Sequence, residues 1–132
     1  MDPKTHLQAD PGLCGTLLAL GEGTARVSLD AAGSMAVDAH GLVHGGFVFG
    51  LADYAAMLAV NDPNVVLGAA ETRFLKPVRV GDRIIASAQT LDAKGRKREV
   101  HVEAAVNFEK VFEGTFTCFV LARHVLEGVG SK

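Results

Sequence analysis

Asp53 is the only charged residue between Gly46 and Val60, a run otherwise composed of apolar and small side chains plus Tyr54. A lone carboxylate among such neighbours costs several kcal/mol unless it is paired, hydrogen-bonded or kept neutral. It therefore either anchors a nearby loop or an arginine, or it is a group held ready to move a proton. Nine residues upstream stand His44, Gly45 and Gly46. Adjacent glycines let a ligand come close to the backbone. The free N–H groups at a helix start, with the dipole behind them, favour a developing oxyanion. The chemistry implied is attack on a carbonyl, with a backbone amide as polariser and a carboxylate as base. Eight residues of helix separate Gly45 from Asp53, about 12 Å by helix rise. One helix therefore cannot offer both groups to one carbonyl, and two helices related by a two-fold axis can.

Other side chains suggest less. His40 and His44 are four apart, but no further Cys or His stands near them, so no metal is expected. No Gly-x-Ser-x-Gly pattern is present, and no Ser or Cys has an obvious base partner. Cys14 and Cys118 have neither metal nor pairing spacing, as expected of incidental thiols in a cytoplasmic protein. His101 falls on the outward side of a strand. Phe47, Phe49, Tyr54 and Met57 either line an acyl pocket or pack as core.

The elements that must hold these residues follow from periodicity. Apolar Leu13–Leu20 begins the fold, Gly21-Glu22-Gly23 turns, and Thr24–Leu29 alternates with Ala25, Val27 and Leu29 on one face. Residues 30–43 read as a loop. Gly46–Val60 reads as a helix, apolar nearly all round and therefore enclosed, stopped by Asn61-Asp62-Pro63-Asn64. Strands are expected over 65–76, 83–91, 97–108 and 111–123, with turns at 77–82, 92–95 and Glu109-Lys110. Within 97–108, Val100, Val102, Ala104, Val106 and Phe108 are expected inward. The first ten residues and the last five are expected to be loose.

A chain of 132 residues, 48% apolar, is one domain with enough core to stand without disulfides or metal. The net charge of −2 speaks against nucleic-acid binding. Residues 73–98 nevertheless hold eight basic and two acidic residues, +6 against −8 elsewhere. Such a sector is either a solvated strand face or a site for a phosphate-bearing ligand. The polar start lacks a signal-peptide stretch, and the longest apolar run is too short to span a bilayer.

His44-Gly45-Gly46-Phe47-Val48-Phe49-Gly50-Leu51-Ala52-Asp53 through Asn61, together with Arg73-Phe74-Leu75-Lys76-Pro77-Val78-Arg79-Val80-Gly81-Asp82, resembles the hotdog-fold acyl-CoA thioesterases of the phenylacetate-degradation (PaaI-like) and hydroxybenzoyl-CoA type. The resemblance covers about residues 14–124 of a single domain 1–132. It implies an α+β fold in which an antiparallel sheet curls around one long helix. It implies a cytoplasmic homodimer, or dimer of dimers, that acts on an acyl-CoA without metal, cofactor, membrane or nucleic acid. Gly45 would polarise the thioester carbonyl. Asp53 of the partner subunit would be general base or nucleophile, and His44 would orient the loop or thioester. Gly46, Asp38, Asn61 and Thr72 would lie at the substrate, and Arg79, Lys94, Arg96 and Lys97 would meet its phosphates.

Two positions depart from that pattern. Asp38 stands where such proteins carry Asn six residues before the His; it either caps the loop, the favoured reading, or titrates with Asp53 as a pair. Leu67 stands where some carry a water-positioning Ser or Thr, with Thr72 as a substitute. The alternatives in function are a hotdog module that senses acyl-CoA without cleaving it, and a hotdog dehydratase, whose motifs residues 40–53 do not match.

Overall fold

The residues Gly45–Val60 form one 16-residue helix. In the computed structural model, which describes residues 1–130 and side chains through 127, this helix, α2, is the centre of the protein. Val48, Leu51, Ala52 and every residue from Ala55 to Ala59 are buried, as its apolar circumference requires. It is preceded by a short helix α1 (Pro11–Cys14) and by strands β1 (Thr16–Gly21) and β2 (Thr24–Asp30). After it come β3 (Val65–Phe74), β4 (Arg83–Lys94), β5 (Lys97–Val106), β6 (Glu109–Val120) and a terminal helix α3 (Val125–Gly130). No described helix is long and apolar enough to cross a membrane.

All strand pairs are antiparallel, and the sheet order is β1-β2-β4-β5-β6-β3. Alternation puts Ala25, Val27, Leu29, Ile84, Ala86, Ala88, Val100, Val102, Ala104, Phe112, Phe116 and Cys118 on one buried face. That face wraps α2, which packs chiefly on β2, β4 and β5. This is the hotdog arrangement expected from the sequence. The small residues of α2 (Ala52, Ala55, Ala56, Ala59) allow the sheet to close tightly on it.

Three local expectations are corrected. The last hairpin turns at Asn107-Phe108, not at Glu109-Lys110: both residues have left-handed φ, 49° and 67°, as a two-residue type I′ turn requires. Phe108 thus leaves the alternation and is fully exposed rather than inward. The β4–β5 turn is tighter than expected, at Gly95-Arg96, so β4 runs on to Lys94. The first ten residues are not loose. Thr5 is buried, and the Asp10 side chain accepts from the Gly12 amide at the start of α1.

β3 is an edge strand whose inward side has no helix of its own to cover it. Ala70, Thr72 and Phe74 pair with Phe116, Gly114 and Phe112 on β6, so they share the core-facing side. Yet Ala70 is exposed, Thr72 half-buried, and Phe74 56% exposed. Gly68, Ala69 and Ala70 on this edge carry no charge to discourage another strand, and the register shifts between Leu67 and Ala69.

Candidate active site

The start of α2 is tied into the surrounding loop from both sides. The Val43 amide donates to the Val78 carbonyl at 2.9 Å and the His44 amide to the Met35 carbonyl at 2.9 Å. His44 then caps the helix: with φ −62° and ψ 129° its Nδ1 accepts from the Gly46 amide at 2.7 Å. This settles the imidazole's role in the protomer as an N-cap. Among the described residues no acceptor meets the Gly45 N–H, the first amide of the helix. The Phe74 ring lies against Gly45, its Cε2 3.1 Å from where a Cβ would stand.

A cavity of about 340 Å³ opens here, lined by Val43, Gly45, Val48, Phe74, Pro77 and Val111 among others. A second, of about 510 Å³, continues from Lys76, Pro77 and Val111 to Arg79, Asp82 and Asn107. An apolar chamber at a free helix amide leads to a polar trough that holds Lys76 and Arg79 beside Asp82 and Glu109, with Lys76 paired to Glu109 at 3.3 Å.

Asp53 lies two turns along α2, on its least covered stripe with Gly46, Phe49 and Gly50. Its Oδ1 is buried and has no hydrogen-bond partner. Burial raises its pKa above the ordinary aspartate value, and the charge of His6 opposes the rise. The carboxylate in turn acts on two thiols. Burial raises Cys14 and pushes Cys118 up to about 12, and the negative charge of Asp53 adds to both shifts. The charge of Asp53 thus reaches the Cys118 thiol on β6, whose strand partner on β3 is Leu67. It lines neither cavity described above. One protomer does not bring Asp53 and Gly45 together.

The other expected site residues fall in distinct places. Asp38 is exposed, and its Oδ1 accepts from the His40 and Leu42 amides at 3.0 and 3.2 Å. It caps its loop. Asn61 is engaged at the end of α2. It ends α2 in a left-handed conformation, accepts from the Lys4 amide at 2.7 Å and donates Nδ2 to the Asp2 carbonyl at 3.0 Å. The sequence signal was sound for a helix stop, but a capping Asn and a ligand-binding Asn look alike in one dimension. Thr72 is half-buried on β3, paired with Gly114 of β6 and five strand residues beyond Leu67. Arg79 flanks the second cavity, whereas Lys94, Arg96 and Lys97 lie at the opposite end of β4 and β5, roughly 35 Å away by strand rise. A single protomer does not gather these four cations.

His6 escaped the sequence reading, because the polarity of its segment suggests a loose end, and Cys14 read as an incidental thiol with no spacing that relates it to Asp53.

The sequence profile described as "Thioesterase superfamily" matches residues 40–106, which hold the His44–Gly46 cap, α2 and Asp53. The chain belongs to the thioesterase superfamily. Within it, a crystal structure of an uncharacterized protein from Pyrococcus horikoshii is 51% identical, with TM-score 0.95 over 96% of this chain and 97% of that one. A mutant of the phenylacetic acid degradation protein PaaI from Thermus thermophilus is 31% identical, with TM-score 0.77 over 85% and 100%.

Curated relatives of this superfamily member carry other names. A methylthioribose-1-phosphate isomerase from Aquifex aeolicus is 52% identical over 92% of this chain but only 27% of that protein. A transcription factor FapR from Caldanaerobacter subterraneus is 30% identical over 65% of this chain and 43% of its own. The chain thus spans under half of either relative, and neither name describes the matched segment alone.

Proposed function

We propose that the protein hydrolyses an acyl-coenzyme A to the free acid and coenzyme A, at a site completed by two protomers. The observation that carries this reading is the buried, unpartnered Oδ1 of Asp53 on the half-buried, least covered stripe of α2. Such an oxygen is costly to keep unless something outside the protomer uses it.

The free edge of β3 supplies the arrangement. Gly45 lies at Phe74, and the charge of Asp53 reaches Cys118, the strand partner of Leu67. Antiparallel pairing of β3 with its two-fold mate, centred between Ala70 and Glu71, sets Leu67 against Phe74 of the partner subunit. Gly45 of one chain then meets Asp53 of the other. The same operation brings one chain's Lys94–Lys97 turn toward the partner's Arg79 trough. Arg98 lies in one row with Cys118 and Leu67, which places that turn at the Asp53 end. The cations separated in one protomer come to one site, where the phosphates of coenzyme A would lie.

In the reaction, the thioester carbonyl oxygen accepts from the Gly45 N–H, and the helix dipole stabilises the negative charge that develops on it. Asp53 takes a proton from water as the water oxygen attacks the carbonyl carbon. Collapse of the tetrahedral species breaks the carbon–sulfur bond and releases the thiolate, which takes up the proton. Direct attack by Asp53, giving an anhydride that water opens, uses the same geometry. Hydrolysis of a panel of aromatic, short and long acyl-CoAs, followed with a thiol reagent, tests the proposal. Turnover that is lost in Asp53→Ala supports it, and equal turnover in both proteins rejects it.

The similarity to the transcription factor FapR favours a second reading, in which the module binds its ligand and signals without cleaving it. Tight acyl-CoA binding with no thiol release over hours would select that reading.

A further inference from the structure

We infer that Phe74 is a specificity-determining residue, whose ring stands beside the thioester carbonyl and selects acyl groups that are unbranched at the α-carbon. The inference rests on the reading of the Gly45 amide as the donor to that carbonyl, and goes beyond it by naming the acyl class.

Phe74 ends β3 and pairs with Phe112 of β6, which puts its side chain on the core-facing side of the sheet. Yet it is 56% exposed. A large ring left open on the inner side of a sheet marks a surface that something else covers. The ring is nevertheless held in place. Its Cε2, Cδ2 and Cζ lie 3.1, 3.5 and 3.6 Å from where a Cβ of Gly45 would stand. It meets Phe112 edge to face, with centroids 5.1 Å apart and planes at 72°, a geometry that aromatic pairs prefer. Phe112 is fully buried and stands 6.4 Å from Phe116, which in turn stands 5.5 Å from Phe49 of α2. The Phe74 ring therefore cannot retreat into the core without displacing buried rings. The backbone beyond it is tied as well, because the Leu75 and Lys76 amides both donate to the Val111 carbonyl, at 2.8 and 3.3 Å.

The chamber at Gly45 has firm walls on its other sides. Val43, Val48, Val78 and Val111 line it and are only 3–5% exposed. A carbonyl oxygen that accepts from the Gly45 N–H lies about 3 Å from the nitrogen. The carbon next to the carbonyl is then confined between these valines and the Phe74 ring. A methylene or a planar carbon fits such a slot, whereas a methyl branch must push against a packed wall. In the proposed two-fold pairing, Leu67 of the partner subunit stands opposite Phe74, so the ring is bounded on its open side too.

Two isomeric substrates test this, 2-methylbutanoyl-CoA and 3-methylbutanoyl-CoA, which differ only in where the branch lies. The wild-type protein should favour the 3-methyl isomer in kcat/KM by about tenfold or more. Phe74→Ala should lower that ratio by about tenfold, and Phe74→Leu by less; the intrinsic reactivities of the two thioesters cancel between variants. Because the ring is half exposed, both variants should fold, which circular dichroism checks. A ratio that is the same in wild type, Phe74→Ala and Phe74→Leu overturns the proposal. Calorimetric binding of the two isomers separates this from the hydrolase reading. If no thiol is released by any of the proteins but the affinity ratio falls in Phe74→Ala, the role of Phe74 stands and the hydrolase reading falls. If neither isomer binds, both fall.

Discussion

His44 Nδ1 accepts a hydrogen bond from the Gly46 amide at 2.7 Å, while the neighbouring Gly45 amide is the open donor at the apolar chamber. The relationship separates a structural donor from a functional one on adjacent residues. It also makes a clean substitution available. Gly45 is the first helical residue, where proline fits and lacks only the N–H. The preceding His44 already has the extended conformation that a following proline demands. Gly45→Pro should leave the fold intact and lower kcat by roughly 10²–10³, the scale of a lost oxyanion donor. Gly45→Ala adds the same Cβ against Phe74 but keeps the amide, and should retain most activity. Steady-state kinetics on the pair checks this.

Loss of the cap should appear in stability. His44→Ala removes the acceptor for Gly46 and should destabilise the protein by about 1 kcal/mol. Urea unfolding with an unchanged m-value is the measurement.

Asp53 carries a pH signature. Its folded-state pKa is raised by burial, so the folded state favours the protonated acid. Its contribution to stability is full below the ordinary aspartate range and is lost as pH rises through the raised value. Asp53→Asn should therefore melt a few degrees above wild type at neutral pH, with the difference shrinking toward pH 4 and below. The acid limb of kcat should show an apparent pKa above that of ordinary aspartate. Melting curves across pH and a pH–rate profile give the two results.

The β3 edge makes a separate prediction. Ala70 is exposed on the side of β3 that faces the core. Ala70→Lys places a charge where the two-fold mate would pack and should give a monomer by light scattering. Turnover should fall with it, because neither half-site is complete.

Periodicity made much of this legible. The charge-poor run around Asp53 marked an enclosed helix, and alternation in 97–106 marked a strand with Val100, Val102 and Ala104 inward, all buried. Alternation failed at Phe108, because Asn107 and Phe108 turn through left-handed φ and the sequence lacks the usual glycine there. Asp38 was legible as a loop cap because an Asx side chain bonds amides two to four residues on. The role of Asn61 was not, because its partners are nearly sixty residues away. The distance from Arg79 to the Lys94–Lys97 turn was hidden for a related reason. Charge density along the chain records neighbours in sequence, and a long hairpin carries them to opposite ends.

The central claim is that Gly45 and Asp53 act on one substrate from different protomers. Mixing Gly45→Pro and Asp53→Asn proteins, each inactive alone, then exchanging subunits by dilution or mild denaturant, tests it directly. Random exchange makes half of the dimers mixed, each with one intact site of two, so about a quarter of wild-type turnover should return. If the mixture stays as inactive as its parents while light scattering and tagged pull-down show mixed dimers, the shared site is wrong.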